Sequence, residues 1–169
     1  NDINSDEVIQ KIANCKPDIA ISYNWKTIIR KEVFDLFTQG VLNSHSGDIP
    51  RYKGNAARNW AIISGESEMA LTIYQMTEEL DFGPILIKKA QTISEKTTIA
   101  DLYDFVSEQT PLLFSEAING LENGTITPIL PSDNCKDHLR YYPRIPMDSE
   151  INGNQSASKI DRVVRASSE

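Results

Sequence analysis

Near the start of the chain, the spacing of the apolar residues changes from that of a helix to that of a buried strand. Residues 6–14 carry apolar side chains three to four positions apart, as one face of a helix requires. Residues 19–23 form a short apolar run typical of buried parallel strands. The order then repeats, with a helix predicted over 28–37 and a strand over 40–43. This alternation predicts an α/β fold with a mostly parallel sheet and crossover helices.

The rest of the chain predicts two more strands and three more helices. The strands cover 70–76 and 85–93, where apolar and polar residues alternate. Helices are predicted over 56–63, over a long segment that begins after the cap residue Thr98, and over 156–166. Together these elements predict a sheet flanked by helices.

Proline and glycine residues mark the irregular parts of the pattern. Pro111 lies inside the long predicted helix and is expected to kink it, because proline cannot donate a backbone hydrogen bond. Between residues 131 and 155 several prolines and a glycine predict a loop-rich segment.

Composition and charge exclude several classes of protein. The chain has 169 residues, of which 40% are hydrophobic, so it has enough apolar side chains for a core. The 17 basic and 24 acidic residues give a net charge of −7, which argues against an extensive nucleic-acid surface. Because no apolar run approaches the roughly 18 residues of a membrane span, we expect a soluble protein.

The sequence contains few residues suited to disulfides or metal binding. Cys15 and Cys135 do not form a disulfide framework, and no cysteine and histidine cluster has zinc spacing. Because no secretory signal is present either, we expect a cytoplasmic protein without a metal.

A polar triplet follows the predicted strand at 40–43. In an open α/β sheet, ligands bind at the carboxyl ends of the strands, where Asn43, Ser44 and His45 are expected. Residues 43 and 45 of an extended segment point to the same side of the sheet. The alternatives are a strand end that hydrogen bonds to its own backbone and a purely structural histidine. His138 lies in a charged loop-like stretch and is predicted to be a surface residue.

Several segments together resemble one enzyme family, although each is weak alone. They are Asn43-Ser44-His45, Ile49-Pro50-Arg51-Tyr52-Lys53-Gly54, Trp60-Ala61-Ile62, Gly65-Glu66 and Leu80-Asp81-Phe82-Gly83-Pro84-Ile85. The combination resembles the formyltransferases that use 10-formyltetrahydrofolate. That family includes methionyl-tRNA formyltransferase, glycinamide ribonucleotide formyltransferase and the sugar N-formyltransferases.

The resemblance implies a catalytic set of Asn43, His45 and Asp81. In this family a formyl group passes from a folate nitrogen to an amine. The implied role of Asn43 is to donate a hydrogen bond to the oxygen that becomes negative. His45 is expected to move a proton, with Asp81 raising its pKa and orienting the ring.

The resemblance also implies where the folate binds. Seven residues in two segments are expected to face the pterin ring, namely Thr27, Ile28, Ile29, Thr77, Glu78, Glu79 and Leu80. The resemblance further implies 10-formyltetrahydrofolate as the co-substrate and a chemistry that needs no metal.

The resemblance implies a Rossmann-like fold, of which this chain is expected to carry the catalytic half without the opening strands. The catalytic domain is predicted to cover 1–130, with a linker and the start of a C-terminal segment over 131–169. The chain departs from the family pattern at Gly47-Asp48, at Asn55, where relatives often have arginine, and at Tyr74, where they often have histidine.

The acceptor amine is predicted less directly than the formyl donor. The acidic net charge favours a small molecule, a nucleotide-linked amino sugar, over a nucleic acid. The alternatives are a methionyl-tRNA formyltransferase and, from another class, a non-catalytic folate-binding or scaffold module. A homodimer is also left open.

Overall fold

A computed structural model describes residues 2–132 and 140–168. Its main sheet has four strands in the order β1 (Ala20–Ser22), β2 (Val41–His45), β4 (Glu68–Gln75) and β5 (Ile85–Thr92). Strands β1 and β2 are parallel, whereas β2–β4 and β4–β5 are antiparallel. The predicted α/β class is confirmed. The prediction of a mostly parallel sheet is wrong for these strands, because the short β4–β5 connection can only join antiparallel neighbours.

Five α-helices and a small second sheet surround this main sheet in the described residues. The helices are α1 (Asp6–Cys15), α2 (Lys31–Phe34), α3 (Ala57–Ser64), α4 (Ile99–Glu122) and α5 (Ala157–Arg165). The short strands β3 (Lys53–Gly54) and β6 (Arg140–Tyr141) pair in parallel, and a 3-10 helix covers Pro146–Ser149. The helices predicted near α1, α3, α4 and α5 are therefore confirmed.

The core lies between the main sheet and the helices α3 and α4. Leu42 from β2, Leu71 and Ile73 from β4, and Ile99 and Leu102 from α4 are all fully buried within one cluster. Burying such side chains is the main favourable contribution to folding. This packing holds the ends of β2 and β4 in a fixed relation to each other.

The helix predicted over 28–37 is confined to the single turn of α2, and the side chain of Asn4 explains why. Its Nδ2 donates to the Ile28 carbonyl at 2.9 Å, and its Oδ1 accepts from the Arg30 amide at 2.8 Å. These bonds hold residues 28–30 in a non-helical conformation, with Arg30 extended at the start of α2. The prediction failed because a residue distant in sequence supplies these partners.

Helix α4 begins as predicted, with a capping box at its first turn. The Asp101 carboxylate accepts from the Thr98 amide at 2.8 Å, and the Thr98 side chain accepts from the Asp101 amide. The helix continues through Pro111 and ends at Glu122. No helix within the described ranges is long and apolar enough to cross a bilayer.

Of the two cysteines and the second histidine, the structure describes only Cys15. Cys15 is an exposed free thiol at the end of α1. Cys135, for which no disulfide framework was predicted, and His138, which was predicted to be a surface residue, lie outside the described residues.

Candidate active site

The structure brings Asn43, His45 and Asp81 together at one end of the main sheet. Asn43 and His45 lie two positions apart on β2, and Asp81 lies in the loop between β4 and β5. All three line the same cavity. Asp81 has a φ of 50°, in the left-handed region that aspartate adopts more readily than most residues. Such a conformation persists only where the surroundings hold the residue in place.

The Asp81 carboxylate has three partners that hold it. Its Oδ2 accepts from the Gly54 amide at 2.9 Å and lies 3.7 Å from His45 Nδ1. Its Oδ1 accepts from the Tyr74 hydroxyl at 3.0 Å. Only 9% of the Asp81 side chain and 11% of the His45 side chain are exposed, so water screens their interaction weakly.

The His45 ring lies between the Tyr52 carbonyl and the Asp81 carboxylate. Its Nε2 lies 2.6 Å from the Tyr52 carbonyl oxygen, so this nitrogen carries a proton and donates. Tyr52 has a φ of 70°, which is unusual for a large side chain. The 3.7 Å between Nδ1 and Asp81 Oδ2 is longer than a hydrogen bond.

Tyr74 connects Asn43 with Asp81, and the prediction from sequence did not include it among the site residues. Asn43 and Tyr74 are directly opposite each other on the antiparallel strands β2 and β4. Asn43 Nδ2 donates to the Tyr74 oxygen at 3.0 Å. Burial, followed by the nearby Asp81 charge, raises the pKa of Tyr74 well above its usual value, so the phenol stays protonated. The available signal was the departure of Tyr74 from the family pattern, which often has histidine at this position.

A cavity of about 400 Å³ is lined in part by Asn43, His45 and Asp81. Its lining includes all seven residues predicted to face a pterin, namely Thr27, Ile28, Ile29, Thr77, Glu78, Glu79 and Leu80. Trp25 and Phe34 add aromatic surface. The buried Ser22 Oγ, also in the lining, has no hydrogen-bond partner among the described residues. We call this space the first cavity.

A second cavity of about 400 Å³ also includes His45, Gly54 and Asn55 in its lining. Its other lining residues include Arg58 and Tyr103, and the Arg58 guanidinium carbon lies 4.2 Å from the centre of the Tyr103 ring. Burial lowers the pKa of Arg58, although a guanidinium remains charged at neutral pH. We call this space the second cavity.

Gly47 is required by the close approach of His45 and Tyr52. A Cβ atom at this position would lie 2.6 Å from His45 Nε2 and 2.3 Å from the Tyr52 carbonyl oxygen. Both contacts are far shorter than real Cβ atoms show, and one is to backbone. The Gly47-Asp48 departure from the family pattern thus fits this arrangement of the loop.

We expect Gly47→Ser to destabilise the protein and to displace His45. Overpacking of this kind typically costs about 1–3 kcal/mol. Displacement of a catalytic group is expected to lower turnover about tenfold or more. Thermal unfolding and a formylation assay measure the two effects. Gly153→Ala is the control, because an added Cβ there meets nothing within 4 Å. Wild-type stability of Gly47→Ser would contradict this interpretation.

The described residues offer no cluster of metal ligands. Within 2–132 and 140–168, no three His, Cys, Asp or Glu side chains lie close enough together to hold a metal ion.

The sequence matches known proteins in agreement with this geometry. A family model described as formyl transferase matches residues 1–118. The methionyl-tRNA formyltransferase of Trichlorobacter lovleyi is 34% identical over 131 residues, which are 78% of this chain and 42% of the relative. The chain thus spans less than half the length of that curated relative.

Solved structures share the fold. HypX from Aquifex aeolicus, in complex with tetrahydrofolic acid, matches with a TM-score of 0.77 and 24% identity over 96% of this chain and 28% of HypX. The N-formyltransferase from Helicobacter canadensis, in complex with folinic acid and dTDP-3-aminofucose, matches with a TM-score of 0.73 and 21% identity. That match covers 86% of this chain and 53% of the other. Since the family model covers more than half of its residues, the chain belongs to the formyl transferase family.

Proposed function

We propose that this chain carries the catalytic site of an N-formyltransferase that moves a formyl group from 10-formyltetrahydrofolate to an amine. The observation that carries the proposal is the convergence of Asn43, His45 and Asp81 on one cavity. An uncharged amide donor, an imidazole ring and a carboxylate can supply the oxygen stabilisation and the proton transfer that acyl transfer to an amine needs.

The first cavity fits a folate. Its volume of about 400 Å³ lies within the usual range of small-molecule sites. Trp25 and Phe34 offer aromatic surface for a flat ring, and the unpartnered Ser22 Oγ offers a hydrogen bond that a polar pterin can complete. The folate-bound relatives described above support this assignment. We therefore propose that the segments 27–29 and 77–80 bind the pterin.

When bound, 10-formyltetrahydrofolate supplies a formyl carbon attached to N10. Asn43 donates an amide hydrogen to the formyl oxygen as the acceptor amine attacks and negative charge develops there. Because Nε2 of His45 already carries a proton, Nδ1 takes a proton from the attacking amine and returns it to N10 as the bond between the formyl carbon and N10 breaks. Asp81, with Oδ2 3.7 Å from Nδ1, orients the ring. These side chains perform every step, so the proposal includes no metal.

For the acceptor we propose a nucleotide-linked amino sugar, bound in the second cavity. Within the described ranges, Arg58 has no carboxylate partner in an ion pair, although it is partly buried. A partly buried, unpaired guanidinium is suited to a phosphate. Tyr103 beside it offers an aromatic surface. Arg58 thus supplies a cation three positions after Asn55, where the family pattern often has arginine. The Helicobacter canadensis enzyme, solved with dTDP-3-aminofucose, supports this choice.

A methionyl-tRNA formyltransferase is the second candidate, favoured by the Trichlorobacter lovleyi relative. The test is to incubate the full-length protein with radiolabelled 10-formyltetrahydrofolate and either dTDP- and UDP-linked amino sugars or initiator methionyl-tRNA. We expect label in an amino sugar. Label in the tRNA alone would replace the first candidate with the second. Folate binding without transfer to any amine would favour a non-catalytic module.

The remaining parts of the proposal follow from the sequence. We propose a catalytic domain over 1–130 and a linker with the start of a C-terminal segment over 131–169. We further propose that the protein acts in the cytoplasm, consistent with its free Cys15. Formation of a homodimer stays open to measurement by light scattering.

We expect Arg58→Ala to raise the KM for the acceptor at least about tenfold, since a charged hydrogen bond contributes about 1.5–3 kcal/mol. The kcat and the KM for the folate should stay within about threefold of wild type, because Arg58 does not line the first cavity. Steady-state kinetics with each substrate varied in turn measure these values. Lys96→Ala is the control, because it removes a positive charge from a residue that lines neither cavity. An unchanged acceptor KM would show that the acceptor binds elsewhere.

A further inference from the structure

We propose that Tyr74 is a positioning residue. It holds the Asn43 side-chain amide with its nitrogen, rather than its oxygen, toward the Tyr74 hydroxyl. This inference rests on the proposed function, in which Asn43 must donate to the formyl oxygen. It concerns a contact between two strands, Asn43 Nδ2 to Tyr74 Oη at 3.0 Å. An amide side chain can present either end, and only the nitrogen donates.

The Asp81 carboxylate sets the direction of the hydrogen bonds from Asn43 to Tyr74 and from Tyr74 to Asp81. An ionised carboxylate only accepts, so the Tyr74 hydroxyl must donate its single proton to Asp81 Oδ1, 3.0 Å away. The phenol oxygen has no further proton, and it can therefore only accept from Asn43. The Asn43 amide is consequently held with its nitrogen toward Tyr74. The second hydrogen on that nitrogen is left for a substrate oxygen.

The packing of Tyr74 makes this arrangement rigid. Only 2% of Tyr74 is exposed, and its ring lies on β4 directly opposite Asn43 on β2. Because its pKa is raised by burial, the phenol keeps its proton, and the direction of donation does not change over the usual assay range. Tyr74 thereby links the carboxylate that holds His45 with the amide that meets the formyl oxygen.

Removal of the hydroxyl should remove the preference between the two ends of the amide. In Tyr74→Phe, Asn43 Nδ2 and Asp81 Oδ1 each lose this partner, and a rotation of the amide by a half-turn becomes less costly. We expect kcat to fall about tenfold, the upper end of the effect of losing a neutral hydrogen bond. The KM for the folate should change less than about threefold, because the cavity keeps its shape.

The experiment compares Tyr74→Phe, Asn43→Ala and the double variant in the full-length protein. If Tyr74 acts through Asn43, the double variant should be no slower than Asn43→Ala alone. Tyr141→Phe is the control, because it deletes a hydroxyl, 3.4 Å from Ser64 Oγ, that lines neither cavity. Losses in kcat that multiply in the double variant would overturn the proposal, as would a Tyr74→Phe kcat within twofold of wild type.

A second measurement does not depend on turnover. The side-chain amide protons of Asn43, assigned by the nuclear magnetic resonance signal lost in Asn43→Ala, should exchange at least tenfold faster with solvent in Tyr74→Phe than in wild type. Equal exchange would overturn the role of Tyr74. If wild type formylates no amine, the proposed function fails, and the exchange rates still decide whether Tyr74 orients Asn43.

Discussion

His45→Ala is expected to lower kcat at least about a hundredfold, the usual minimum contribution of a well-placed general acid or base. His45 is the titratable ring shared by the two cavities, and the amine must lose a proton while the folate nitrogen gains one. No other described residue in either lining is a histidine. A loss of this size would assign proton transfer to His45.

The His45 variant requires a test of folding and of folate binding. The ring contacts the Tyr52 carbonyl and Asp81, so its removal is expected to leave the core cluster intact. Thermal unfolding and calorimetric binding of folinic acid should therefore stay close to wild type. His45→Gln separates proton transfer from hydrogen bonding, because glutamine donates and accepts without titrating near neutral pH. If His45→Ala retains full turnover, His45 has no catalytic role.

Local pattern was sufficient for the elements that place Asn43 and His45. The strand predicted over 40–43 corresponds to β2, and residues 43 and 45 line the same cavity, as a period of two requires. The prediction that Asp81 joins Asn43 and His45 depended on the family resemblance, because an aspartate in a turn has no distinctive local pattern. In the structure, backbone and hydroxyl donors from Gly54 and Tyr74 hold it.

Tertiary contacts account for what the sequence did not predict. The role of Tyr74 depends on the register between β2 and β4, which places it opposite Asn43. A shift of one residue would have turned Tyr74 to the other face of the sheet. Similarly, the truncated helix α2 depends on Asn4, whose side chain bonds to the backbone of Ile28 and Arg30. Register and distant side-chain partners are not encoded in local spacing.

Tyr103 both packs against the core and lines the second cavity, and its spacing along the helix indicates only the first of these. Tyr103 lies on α4, and it packs against the core cluster. Its ring also contacts the Arg58 guanidinium and lines the second cavity. Helical spacing accounts for the buried side of this ring, but only the position of α3 relative to α4 reveals the side that faces a cavity.

Asn43→Ala is expected to lower kcat about 10²- to 10³-fold, as for removal of one donor to the negative oxygen in other acyl transfers. Asn43→Asp should be at least as harmful, because a carboxylate of the same shape has no hydrogen to donate and adds negative charge beside the oxygen. Steady-state kinetics at saturating folate and acceptor measure both effects. Folinic acid binding should be retained in Asn43→Ala, because the loss is confined to the reacting oxygen.

The matched control for Asn43 is a second partly buried asparagine amide. Asn59 Nδ2 donates to the Ala166 carbonyl at 2.8 Å, which joins α3 to the end of α5 away from both cavities. Asn59→Ala should lower the free energy of unfolding by about 1 kcal/mol while kcat stays within twofold of wild type. A lower kcat for Asn59→Ala than for Asn43→Ala would mean that a residue other than Asn43 donates to the formyl oxygen. Equal kcat in wild type and Asn43→Ala would mean that formyl transfer needs no amide from β2.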